Sequence, residues 1–157
     1  MLPTLTQDQQ MLKDIAADFT RKEIEPIANR IDLVEETPAE LIRKMAGLGF
    51  FGLTIPEAYG GSGQSLTTAC LVLEEIARGS PSVAGMLSVE MVLCPFTVEA
   101  LGTEEQKRRL LPLSASGERL MAYSITEPAG AEVWSGTELL GQTPLDIPRP
   151  SGGDRLT

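Results

Sequence analysis

A chain of 157 residues is long enough for one domain that buries roughly two thirds of its unfolded surface, and 42% hydrophobic with 22% charged residues is the make-up of a soluble globular fold. The formal charge of −9 argues against nucleic acid or an anionic membrane as the main partner, since both are held by clustered Lys and Arg. With no histidine present, Ser-His-Asp and Cys-His catalysis and His-Glu-x-x-His zinc sites are excluded, leaving carboxylates or a cofactor to carry any chemistry.

The opening "MLPTLTQDQQ" lacks the basic region and apolar run of a signal peptide. Thr6 and Gln9 have the spacing of a capping box, so a helix should follow. Leu12, Ile15, Ala16 and Phe19 give it an apolar stripe, which Ile24, Ile27, Ala28 and Ile31 resume in a shifted phase around Pro26. Two helices and one kinked helix both fit, because an interior proline removes a hydrogen bond and crowds the preceding turn. A second capping box, Thr37 to Glu40 with Pro38 at the first helical position, predicts a helix with Leu41, Ile42, Met45 and Leu48 inward and a stop at Gly47 and Gly49. "FFGLTIPEAYGGSG" then reads as a turn. Its glycines lack the G-x-G-x-x-G spacing between strand and helix that a dinucleotide cradle needs.

Ser65 should cap a regular helix whose inner face is Leu66, Ala69, Cys70, Leu73, Ile76 and Ala77, with Glu74 and Glu75 solvated opposite. The stretch from Ser82 to Leu101 is apolar nearly all round and predicts a central helix kinked by Pro95; the apolar run within it, Val83 to Phe96, is too short for a membrane span. Glu90 is the anomaly there, because a buried carboxylate is costly unless paired or protonated. It is either a general base with a raised pKa or a group at the helix rim. Thr103 to Gln106 form a third capping box, and Lys107, Arg108 and Arg109 form a solvated basic face, with a salt bridge or an anionic ligand as the alternative. Cys70 and Cys94 have no metal-ligand spacing, so they read as small buried thiols of a reducing compartment, and a cytoplasmic location is expected. Nothing in the pattern marks a metal site.

From Leu120 the alternation becomes β-like through Thr126 and stops at Pro128, leaving one strand with nothing to pair with. Residues 132–157 show no sustained period and read as loop or disorder.

The landmarks "LTQDQQMLKDIAADFTRKEIEPIA", "MAGLGFFGLTIPEAYGGSG", "LVLEEIARGSPSVAGMLSV", "LGTEEQKRRLLPLSASGE" and "MAYSITEP", in this order and spacing, resemble the N-terminal helical domain of the acyl-CoA dehydrogenase family. The resemblance implies an all-α fold, an orthogonal bundle of about six helices over 1–119, then the first strand of a flavin-binding β-domain over 120–131 and an atypical tail over 132–157. It also implies FAD as cofactor and an acyl-CoA thioester as substrate. In such enzymes a glutamate removes the proton α to the thioester carbonyl while the β hydride passes to flavin N5. By that likeness Tyr123 and Ile125 line the flavin, the Thr126 hydroxyl donates toward N5 and O4, and Val89, Glu90 and Leu93 face the acyl chain.

Two departures accompany the likeness. Glu132 stands where the family places a Ser that helps hold phosphate, and the catalytic glutamate has no counterpart in this chain, so no catalytic residue is assigned. A dehydrogenase part that is not active alone, a non-catalytic helical interaction module and a truncated product without activity are the resulting functional readings. The apolar surfaces that would pack on further domains call for self-association or a partner chain.

Overall fold

The computed structural model describes residues 4–123, 126–127 and 130–131. Helix α1 (Gln7–Phe19) starts as its sequence requires: the Thr6 hydroxyl accepts from the Gln9 N–H at 3.2 Å, and the Gln9 side chain accepts from the Thr6 N–H at 3.0 Å. The rod then runs through a π-turn, Thr20–Ile24, and a 3₁₀ turn, Glu25–Ile27, into α2 (Ala28–Val34). The Pro26 segment therefore resolves as one rod of changing pitch. A π-register opens the turn just where the prolyl ring would crowd the carbonyl of the preceding turn.

Helix α3 (Ala39–Gly47) corrects one expectation, since no side chain caps it and Thr37 takes no part. Pro38 has ψ 134°, an extended value, so the helix begins after the proline and Thr37 lies one residue too early. The far end is a Schellman-type stop: Gly49 adopts φ +75°, and the Phe50 N–H reaches back to the Met45 carbonyl at 3.2 Å. The glycine segment that follows is a tight turn held by main-chain bonds from Ser62 to Gly52, Gly63 to Ile55 and Gln64 to Leu53. A Cβ on Gly61 would lie 2.0 Å from the Ile55 carbonyl oxygen, so this close approach of two backbone strands tolerates only glycine.

Helix α4 (Leu66–Gly79) is capped by Ser65, as expected, but its buried face is rotated. Thr68, Ala69, Val72, Glu75 and Ile76 point inward, while Leu66 and Cys70 are exposed. Glu75 is thus not a solvated residue; it meets Lys13 of α1 at 3.4 Å and Arg78 at 3.2 Å, joining the two helices that pack most extensively. Cys70 likewise departs from the buried-thiol expectation, which Cys94 fulfils.

Helix α5 (Pro81–Ser88), a second π-turn (Val89–Leu93) and α6 (Cys94–Leu101) form one continuous rod. At 21 residues, with mean hydropathy 1.5, Pro81–Leu101 is long and apolar enough to cross a membrane, which the shorter run Val83 to Phe96 is not. Its packing is that of a core helix: Val83, Leu87, Met91 and Val98 are buried at 0–1% exposure among the other helices. Helix α7 (Glu104–Ala115) opens with the Thr103–Gln106 capping box, with bonds of 3.2 and 2.8 Å. Lys107 takes the salt-bridge alternative, meeting Glu104 at 3.5 Å.

The core has two parts. The larger gathers α1, α3, α4 and α5 around Met45, Phe50, Phe51, Val72, Ile76 and Leu87, with Phe19 edge-on to Phe50 at 5.9 Å. The smaller sits between α6, α7 and the turn, built from Ile55, Val98, Leu111 and Ala115, and Met121 packs against it. The β-like stretch begins later than expected: residues 121–123 carry no strand, and β1 (Thr126–Glu127) pairs antiparallel with β2 (Gly130–Ala131). The strand thus finds its partner locally. The tail expected at 132–157, Glu132 included, lies outside the described residues.

Candidate functional site

The residues expected at the site come from the central rod and from the segment leaving α7, and one contact joins them. Both carboxylate oxygens of Glu90 accept from the Met121 N–H, Oε1 at 2.8 Å and Oε2 at 3.0 Å. Glu90 is 3% exposed, so it is not a rim residue. Burial pushes its carboxyl up to about 7, with the Met121 N–H pulling in the opposite direction. On the next turn the buried Cys94 thiol is pushed up to about 12, by burial first and by the Glu90 charge second, so it stays a neutral thiol.

One proline and two threonines explain why the carboxylate can sit there. Pro95 has no N–H to return to the Met91 carbonyl, and the rod adopts π-register just before it, the Cys94 N–H reaching Val89 five residues back. The Met91 carbonyl is met instead by the Thr54 hydroxyl, which crosses from the turn after Phe50 and Phe51. Thr97 serves the Leu93 carbonyl in the same way at 2.8 Å. The widened turn is therefore held at consecutive residues, Glu90 by its side chain and Met91 by its carbonyl.

The three residues expected along the acyl chain do not share one environment. Val89 is half-buried, Glu90 is buried on Met121, and Leu93 is 45% exposed. Of the flavin set, Tyr123 is half-buried, Ile125 lies outside the described residues, and Thr126 begins β1. Leu93, Phe96, Leu101 and Leu120 leave large apolar side chains exposed on α6 and on the segments joined by the Glu90 contact. Thr54 and Met121 went unnoticed in the sequence. The available signal was Pro95, whose missing N–H demands a donor from elsewhere for Met91.

A separate groove of about 710 Å³ runs along α1 and includes Met11, Ile15, Phe19 and Leu48, with none of the expected site residues. Among the described residues no group of His, Cys, Asp or Glu side chains is arranged to hold a metal ion.

Comparison with known proteins fits this geometry. Residues 6–118 match the family described as acyl-CoA dehydrogenase, N-terminal domain. An acyl-CoA dehydrogenase of Bacillus subtilis (strain 168) is 40% identical over 124 residues, 79% of this chain and 33% of its own. Glutaryl-CoA dehydrogenase of Desulfococcus multivorans is 41% identical over 133 residues, 82% of this chain and 34% of its own. The structure of butyryl-CoA dehydrogenase from Megasphaera elsdenii superposes with a TM-score of 0.75 at 34% identity, covering 82% of this chain and 34% of that one. The chain spans about a third of the length of the curated relatives it matches. With the helical architecture and the family match both over the same residues, this chain belongs to the acyl-CoA dehydrogenase family, whose N-terminal helical domain it contains.

Proposed function

We propose that the chain builds the helical wall of a site for flavin-dependent α,β-dehydrogenation of an acyl-CoA thioester, with the domain ending near residue 119 and the segment after it running beside the flavin. The observation that carries the reading is the junction at Glu90 and Met121, which fastens the exit segment to the central rod next to exposed apolar side chains. FAD, when bound, supplies the hydride acceptor. The residues present fit one edge of such a ring: Tyr123 is half-buried, and Leu93, Phe96 and Leu120 offer apolar surface on the adjoining segments. Tyr123 and Ile125 would orient the ring by packing, and the Thr126 hydroxyl would donate toward it, since a fixed donor at the reduced nitrogen favours hydride transfer.

Val89 and Leu93 would border the acyl chain. Glu90 is committed to a main-chain N–H, so it is not assigned the α-proton; that acceptor and most contacts to the cofactor would come from segments beyond those matched here. The two free cysteines support a reducing, cytoplasmic setting.

The test is co-expression with the part of the similar Bacillus subtilis enzyme that lies outside the matched third. A yellow complex that reduces an electron-accepting dye only when acyl-CoA is added is expected, with no dye reduction by the chain alone. A colourless, inactive mixture would refute the reading. The alternative, a non-catalytic interaction module, is favoured by the exposure of Phe96 at 68% and Leu101 at 61%. It predicts self-association or a partner chain on that face, read by light scattering, and Phe96→Ser should abolish the association.

A further inference from the structure

The connection between Glu90 and Met121 does more than satisfy a buried group. Met121 is held from two sides: its N–H by both oxygens of Glu90, and its side chain by the cluster of Ile55, Val98, Leu111 and Ala115. Glu90 is itself fixed, because it rises from a π-turn whose next carbonyl, that of Met91, is tied to Thr54. Among the described residues between the turn at Gly117 and β1 no regular element is present, and the nearest main-chain anchor is the bond from the Arg119 N–H to the Leu113 carbonyl at 3.1 Å.

We propose that Glu90 is a positioning residue for the segment 121–123: its carboxylate pins the Met121 N–H and so decides where the chain leaves the helical domain relative to the central rod. The consequence for Tyr123 and Thr126 as flavin-lining groups rests on the functional reading above, whereas the pinning itself does not. An ordinary buried carboxylate could be satisfied by any donor; this one takes a main-chain N–H of the exit segment, 31 residues away, with both oxygens. Removing it leaves that N–H without a partner at a half-buried position and frees the residues after it.

The experiment is residue-resolved amide hydrogen exchange on the full chain, native and as Glu90→Ala and Glu90→Gln, with amide chemical shifts read alongside. In the native chain the Met121 amide should be protected. In Glu90→Ala it should exchange at least about tenfold faster and the Ala122 and Tyr123 amides should shift, while core amides such as Met45 and Leu87 slow or quicken no more than the urea midpoint demands. Glu90→Gln, which keeps one acceptor oxygen, should restore most of the protection.

A native Met121 amide that exchanges at the unprotected rate overturns the proposal, and this holds even if Glu90→Ala does not fold. So does a Glu90→Ala chain in which Met121 and the core quicken together, because that is the mark of a residue that only stabilises. The co-expression assay separates the two ideas: local loss of protection at Met121 in Glu90→Ala, with a colourless and inactive native complex, keeps the pinning and removes the flavin reading.

Discussion

Glu90 shows how a single side chain can carry two opposed demands. Desolvation favours its neutral form, and the Met121 N–H favours the charged one, with burial the larger. Its folded pKa of about 7 lies above the ordinary 4.5, so the folded chain holds the proton more tightly than the unfolded chain between those values. Stability should therefore fall as pH rises from 4.5 to about 7, by on the order of 3 kcal/mol, and level off above. Urea unfolding at a series of pH values checks the slope, which Glu90→Gln should flatten. Asp18 acts in the opposite sense: the Lys22 ammonium holds its carboxyl below the usual 3.8, so its contribution is lost only at more acid pH. Thr54→Val tests the neighbouring contact; it leaves the Met91 carbonyl unserved and should cost about 1–3 kcal/mol, with Thr54→Ser close to native.

At the scale of elements, the helix ends divide into those written locally and those that are not. The Thr6–Gln9 and Thr103–Gln106 boxes form as the spacing demands, because both partners lie within three residues of each other. Thr103→Ala should lower stability by about 1 kcal/mol without changing the fold, as denaturant midpoints would show. Thr37 fails by the same logic, since the Pro38 backbone delays the helix start beyond its reach. The rotated face of α4 has a different cause. Glu75 turns inward because Lys13 on α1 and Arg78 on its own helix neutralise it there, so a carboxylate replaces an apolar residue on the buried side. Glu75→Ala should destabilise chiefly the α1–α4 contact, raising amide exchange in α1 before α7.

For the whole molecule, the two core clusters divide the work. The larger holds the four-helix body, and the smaller, at the α6–α7 side, carries the exit segment. Leu111, fully buried in the smaller cluster, is the residue whose loss should weaken both α7 and the seat of Met121: Leu111→Ala should cost about 2–5 kcal/mol in urea unfolding and quicken exchange at Met121. The exposed row of Leu93, Phe96 and Leu101 belongs to this scale as well, since it is surface only as long as nothing packs on it.

The sequence by itself determined the family, the helical class, the two capping boxes and the glycine stops, because each of these rests on residues close together in the chain and on side-chain periodicity. It marked Glu90 as an anomaly and Pro95 as a kink, without resolving what either one meets. Tertiary structure alone decided their partners: Met121 stands 31 residues from Glu90, and Thr54 stands 37 from Met91. A donor at such a distance leaves no local pattern, and only folding brings it within hydrogen-bond reach.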